Sequence, residues 1–124
     1  MKKKILIVDD SAMSRRMMRR IVESAGFEVV EAEEGPEALE KYYLDKPVAV
    51  FLDLTMRDMY GLEVLEKLRQ MDPNARVIIA SADIHDMTRD SVTQAGADAF
   101  INKPLTSEKV LGALNEVIAK EGSE

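Results

Sequence analysis

Four short, largely apolar runs in this chain each lead into a side chain able to do ionic or hydrogen-bond chemistry. Ile5-Leu6-Ile7-Val8 runs into Asp9-Asp10, and Val48-Ala49-Val50-Phe51-Leu52 runs into Asp53. Val77-Ile78-Ile79-Ala80 runs into Ser81, and Ala99-Phe100-Ile101-Asn102 into Lys103. Brought together, three carboxylates repel: one pair at about 4 Å costs about 4 kcal/mol at an effective dielectric of about 20. A divalent cation removes that penalty, and carboxylate oxygens among loops suit magnesium, which keeps several of its waters. Lys103 offers a point charge able to meet a phosphoryl oxygen, and the Ser81 hydroxyl can donate to another. A lone buried carboxylate is expensive. Asp53 is therefore expected at the edge of a sheet, served by solvent or a cation, and not inside the core.

The elements that must position these groups are legible from periodicity. Unbroken apolar runs of this length suit strands buried on both faces. Strands are expected at Lys4–Val8, Phe27–Ala32, Val48–Asp53, Val77–Ala80 and Ala99–Asn102, the second being polar enough for an edge. Ser11 is a candidate N-cap for a first helix that ends near Ala25, before Gly26. Met13, Met17, Met18, Ile21, Val22 and Ala25 share one side of it and are expected in the core. Arg15, Arg16, Arg19 and Arg20 share the other, as a solvated face or a docking stripe beside Asp53. The second helix opens at Gly35-Pro36, with Ala38, Leu39, Tyr42 and Tyr43 as its apolar side, and closes at Asp45-Lys46-Pro47. The third starts at Gly61 and turns on Leu62, Val64, Leu65 and Leu68. The fourth, Ile84 to Ala95, has few apolar residues and is expected to dock least firmly. The fifth, about Thr106 to Lys120, is amphipathic through Val110, Leu111, Leu114, Val117 and Ile118.

Strands alternating with helices imply right-handed crossovers. The expected fold is α/β: a doubly wound, five-stranded parallel sheet of order 2-1-3-4-5, flavodoxin-like, with helices on both faces. Ligands bind such sheets where the order reverses, between the first and third strands. Asp9, Asp10, Asp53, Ser81 and Lys103 would then all meet at the carboxyl edge.

Composition narrows the classes. With 124 residues, 46% hydrophobic and 32% charged, the chain suits one domain over residues 1–124. A net charge of -6 argues against direct nucleic-acid binding, which draws affinity from phosphate neutralisation. No apolar run nears the roughly 20 residues of a membrane span. The stretch after Lys2-Lys3-Lys4 is too short for a signal peptide. Without cysteine there is no disulfide, thiolate zinc site or cysteine nucleophile. A cytoplasmic protein is expected. His85, the only histidine, is assigned no role.

Four separated motifs now agree. I-L-I-V-D-D-S (5–11), F-L-D-L-T-M (51–56) with Gly61, I-I-A-S-A (78–82) and F-I-N-K-P (100–104) resemble the receiver domain of two-component response regulators. The likeness covers nearly the whole chain, and the single-domain architecture suggests a chemotaxis-type regulator. Chemotaxis receivers themselves show the 2-1-3-4-5 order.

The resemblance implies that Asp53 accepts a phosphoryl group from a sensor histidine kinase or phosphotransfer protein. Magnesium would be held by Asp10, Asp53 and the Thr55 carbonyl, with Asp9 acting through water. Lys103 would pair with Asp53 or its phosphoryl oxygens. Ser81 would be drawn inward and Phe100 would follow, changing the surface of the fourth helix, fifth strand and fifth helix for an output protein. Thr55 and Asp83 would modulate dephosphorylation, and the Lys103-Pro104 bond would be cis. No enzymatic activity is implied beyond self-phosphorylation and autodephosphorylation.

One position departs from the pattern: Arg57 stands where the family usually has proline. Weaker magnesium binding or altered kinase docking is expected, and equal magnesium affinity in Arg57→Pro would remove the first of these. Three rivals remain at this level. A phosphotransferase built on an aspartyl-phosphate usually carries a second acid two residues after the nucleophile, where Thr55 stands. A flavodoxin-like carrier needs a phosphate loop after the first strand, where Asp9 and Asp10 would repel a phosphate. A degenerate receiver would act as a constitutive interaction module, which the acids and Lys103 disfavour.

Overall fold

The computed structural model describes residues 2–54, 61–82 and 86–122. Along the chain run β1 (Lys4–Val8), α1 (Ala12–Ser24), β2 (Glu28–Ala32), α2 (Gly35–Asp45) and β3 (Ala49–Leu52). They are followed by α3 (Gly61–Met71), β4 (Val77–Ser81), α4 (Asp86–Gln94), β5 (Ala99–Asn102) and α5 (Ser107–Gly122). The strands form one sheet in the order β2-β1-β3-β4-β5, every pairing parallel. This is the expected doubly wound architecture, with its reversal between β1 and β3.

Successive side chains of a strand point to opposite faces, and the core divides accordingly. Ile5 and Ile7 of β1, with Phe51 of β3 and Ile78 of β4, pack under α1 and α5. Leu6 and Val8, with Val50, Leu52, Val77 and Ile79, pack under α2, α3 and Val92 of α4. Both faces being covered, the central strands carry apolar residues at consecutive positions, as the sequence reading requires. The strand ends differ by a residue: β2 starts at Glu28 instead of Phe27, and β3 stops at Leu52. Among the described residues no helix is long and apolar enough to cross a membrane.

Two helix faces correct the sequence reading. In α1, Met13 is 71% exposed and Met17 is exposed, whereas Arg15 is only 8% exposed. Met18 and Val22 are buried as expected. A helical wheel assigns the thioethers inward and the guanidinium outward. The helix is rolled because Arg15 finds three oxygen acceptors against the sheet, which removes the cost of burying it. In α2, Ala38 and Tyr42 form the inner face, while Tyr43 is exposed. The Tyr42 hydroxyl donates to Asp72 Oδ2 at 2.7 Å, anchoring α2 to the end of α3.

Candidate functional site

Parallel pairing sets the strand ends on one edge, and backbone hydrogen bonds hold them in step. The Asp9 amide donates to the Ala32 carbonyl at 3.1 Å, and the Asp53 amide donates to the Val8 carbonyl at 3.0 Å. The Lys103 amide donates to the Ser81 carbonyl at 3.1 Å, and the Lys103-Pro104 peptide is cis, as the resemblance implied. Ser11 caps α1: it is extended, and its hydroxyl accepts from the Ser14 amide at 3.2 Å.

Gly61 has a steric reason that the motif alone did not reveal. A Cβ there would lie 2.4 Å from Leu54 Cα and 2.6 Å from the Asp53 carbonyl oxygen. The Gly61 amide also donates to the Leu54 carbonyl at 3.2 Å. The start of α3 is thus pressed against the backbone that carries Asp53, and only glycine permits the approach.

The edge gathers the acids. One carboxylate oxygen from each of Asp9, Asp10 and Asp53 lies within 4.8 Å of the others. Asp9 and Asp53 are buried and Asp10 is exposed. Asp53 is at the sheet edge as expected, yet only 4% exposed, and a cation lies beside it. That cation is Lys103. Its Nζ donates to Asp9 Oδ2 at 2.9 Å, to Asp53 Oδ2 at 3.5 Å and to Ser14 Oγ at 3.4 Å.

One ammonium serves two buried carboxylates, and the titration directions reflect this. Burial pushes the Asp9 carboxyl above its ordinary range, and the Asp53 charge adds to it. Hydrogen bonds from Lys103 and the Ser11 amide oppose the rise without cancelling it. Burial also pulls Lys103 down, but the hydrogen bond to Asp9 and the charges of Asp53 and Asp9 outweigh it, leaving Lys103 raised. A raised lysine speaks for a favourable ion pair, and a raised aspartate against one. Both directions hold, because the lysine sees two anions while Asp9 shares one cation and has a second anion beside it.

Ser81 is fully buried at the end of β4, next to Lys103 through the backbone, and Phe100 is partly buried on β5 against the α2–α3 side of the core. Thr55, Arg57, Asp83 and His85 lie outside the described residues. Two participants escaped the sequence reading. Ser14 reaches Lys103 from α1. Arg15 donates from Nη1 to the Asp9 carbonyl at 2.7 Å, and ion-pairs with Glu31 at 3.0 Å and Glu33 at 3.1 Å. Its only trace in the sequence is two acids, Glu31 and Glu33, around the end of the neighbouring strand. Among the described residues no buried side-chain nitrogen or oxygen lacks a hydrogen-bond partner.

Three hard carboxylate donors this close fit a small divalent cation, and the exposed Asp10 leaves the group open on one side. Comparison with known proteins agrees with that chemistry. The family profile described as response regulator receiver domain matches residues 5–115. The chain is 42% identical to the chemotaxis protein CheY of Thermotoga maritima, covering 94% of this chain and 98% of that protein. To the CheY of Bacillus subtilis it is 44% identical, covering 93% and 97%. Among solved structures, a CheY-like receiver domain protein from Methanospirillum hungatei superposes with a TM-score of 0.93 at 30% identity, each chain covered fully (100% and 100%). The CheX-CheY-BeF3-Mg complex of Borrelia burgdorferi gives 0.88 at 37% identity, over 94% of this chain and 89% of that one. The chain belongs to the response regulator receiver domains, the two-component signalling modules in which an aspartate accepts a phosphoryl group.

Proposed function

We propose that Asp53 is that aspartate, and that the chain is a receiver charged by a sensor histidine kinase or a phosphotransfer protein. One observation carries the reading: two buried carboxylates, Asp9 and Asp53, share a single lysine, with a third carboxylate within 4.8 Å. In the transfer, an Asp53 carboxylate oxygen attacks the phosphorus of a phosphohistidine. The new O–P bond forms as the P–N bond breaks, and the imidazole leaves with the electron pair. Lys103 is placed to move its hydrogen bond from Asp53 to a phosphoryl oxygen, and the Ser81 hydroxyl to donate to another.

Asp10 and Asp53 would hold magnesium, with the Thr55 carbonyl as a third ligand and Asp9 through water. When bound, the ion screens the carboxylates and the phosphoryl oxygens from one another. The cluster of three carboxylates suits it, and the Borrelia relative's magnesium complex supports the assignment.

Phosphorylation replaces the single carboxylate charge of Asp53 by a phosphoryl group carrying about -1.5 to -2. Ser81 moving toward it, with Phe100 behind, would change the α4–β5–α5 surface read by an output protein. Thr55 and Asp83 would set how readily water removes the group. The chemistry is self-phosphorylation and autodephosphorylation, not turnover of an external substrate. For the donor, the exposed face of α1 offers Met13, Arg16, Met17 and Arg20, since Arg15 and Arg19 are engaged in ion pairs.

The test is intact mass after incubation with magnesium and acetyl phosphate. Wild type is expected to gain one phosphoryl group and Asp53→Asn none. A phosphorylated Asp53→Asn, or an unmodified wild type, would refute the assignment.

A further inference from the structure

Arg15 is a charged side chain that the proposed chemistry does not use, yet it is one of the few buried charges among the described residues. Its guanidinium fork is engaged on three nitrogens. Nη1 donates to the Asp9 carbonyl at 2.7 Å, Nε to Glu31 Oε1 at 3.0 Å and Nη2 to Glu33 Oε1 at 3.1 Å. The Asp9 carbonyl belongs to the peptide bond that joins Asp9 to Asp10. Holding that oxygen fixes the plane from which both carboxylates project. From the other side, the Ser11 amide donates to Asp9 Oδ1 at 2.9 Å, so the segment is gripped on backbone and side chain alike.

The glutamates explain how a cation can stand here at all. An unpaired guanidinium beside the acidic group would oppose a divalent ion by Coulomb repulsion. Glu31 and Glu33 cancel that charge, leaving Arg15 to act through geometry. The acids are themselves secured: Lys41 donates to the Glu31 carbonyl, and the Glu33 amide donates to Glu37 Oε1 at 2.7 Å. The ends of β1 and β2, α1 and the first turn of α2 are thus tied into one polar network.

We propose that Arg15 is a positioning residue for the divalent-cation pocket: it holds the Asp9–Asp10 peptide so that both carboxylates converge with that of Asp53, and thereby sets the affinity for magnesium. The inference rests on reading that pocket as a magnesium site, and goes beyond it by placing part of the affinity in a residue that touches no metal. Partners that orient ligands typically change metal affinity by about 10- to 100-fold when removed.

Magnesium titrations of Arg15→Met and Arg15→Lys, followed by amide chemical shifts, are expected to show affinity lower by about tenfold or more. Lysine keeps the charge but cannot span three separated acceptors with a planar fork. The control is Arg19→Met, which loses ion pairs to Glu23 and Glu31 but has no contact with Asp9. It is expected to stay within about twofold of wild type, since exposed pairs contribute little. Metal-free hydrogen exchange supplies a second readout: the Ser11 amide should exchange faster in the Arg15 variants and not in Arg19→Met. If Arg15→Met does not fold, Arg15→Lys carries the test. A folded Arg15→Lys with wild-type magnesium affinity overturns the proposal, as does an equal loss in Arg19→Met. A wild type that takes up no magnesium would sink the pocket reading instead, and the exchange comparison would still decide whether Arg15 holds the peptide.

Discussion

Replacing Lys103 by methionine removes the cation from between two buried acids while keeping most of the side chain's apolar volume. Its Nζ stands 2.9 Å from Asp9 Oδ2 and 3.5 Å from Asp53 Oδ2. At an effective dielectric of about 20 each contact is worth about 5 kcal/mol of attraction. Desolvating three charges offsets most of that, so the assembled group adds little net stability. Removing one member is different, because Asp9 and Asp53 then keep their desolvation cost and repel each other. Breaking a buried pair this way costs about 3–5 kcal/mol. With a urea m-value of about 2 kcal/mol per molar, the midpoint falls by about 2 M.

The pH dependence supplies the sharper check. Asp9 is raised in the folded protein, mainly by burial, so the native state binds that proton more tightly than the unfolded chain does. Stability therefore increases as pH falls through the folded value toward the ordinary one, and falls again as pH rises. In Lys103→Met the lowering hydrogen bond is gone, and this window widens. Urea denaturation in chelator is expected to show a large deficit at neutral pH that shrinks on mild acidification. A variant as stable as wild type at neutral pH, or a deficit unchanged by acid, would refute the argument that one lysine compensates both acids.

Asp10→Ala is expected to raise the metal-free urea midpoint by removing one of three mutually repelling carboxylates, and to abolish magnesium binding. A metal-free Asp10→Ala that unfolds before wild type would contradict the repulsion account. Gly61→Ala places a Cβ 2.4 Å from a backbone carbon that cannot swing away, so the Asp53–Leu54 segment must shift. It is expected to lose about 1–3 kcal/mol and to slow phosphorylation by acetyl phosphate; wild-type behaviour in both assays would show that the loop yields freely.

Much of this edge is readable without any coordinates. Apolar runs bounded by Asp9-Asp10, Asp53, Ser81 and Lys103 imply buried parallel strands, and parallel strands necessarily deliver their following residues to one side. The rolled α1 is not legible in the same way. Methionine and arginine both carry long apolar stems, so a helical wheel ranks them by head group alone. Arg15 turns inward only because Glu31, Glu33 and the Asp9 carbonyl wait there, and those acceptors come from outside its own helix. Spacing likewise places Tyr43 inward beside Tyr42, although a narrow helix face buries only one of two neighbours.

The chain's order of residue types determined the architecture and the edge on which the acids and the lysine gather, because strand period and crossover handedness leave little choice. Tertiary structure alone decided which acids are shielded, which cation each one meets and which arginine is internal. Those outcomes depend on distances between elements far apart in sequence, where a difference of a few ångströms separates a solvated charge from a buried one.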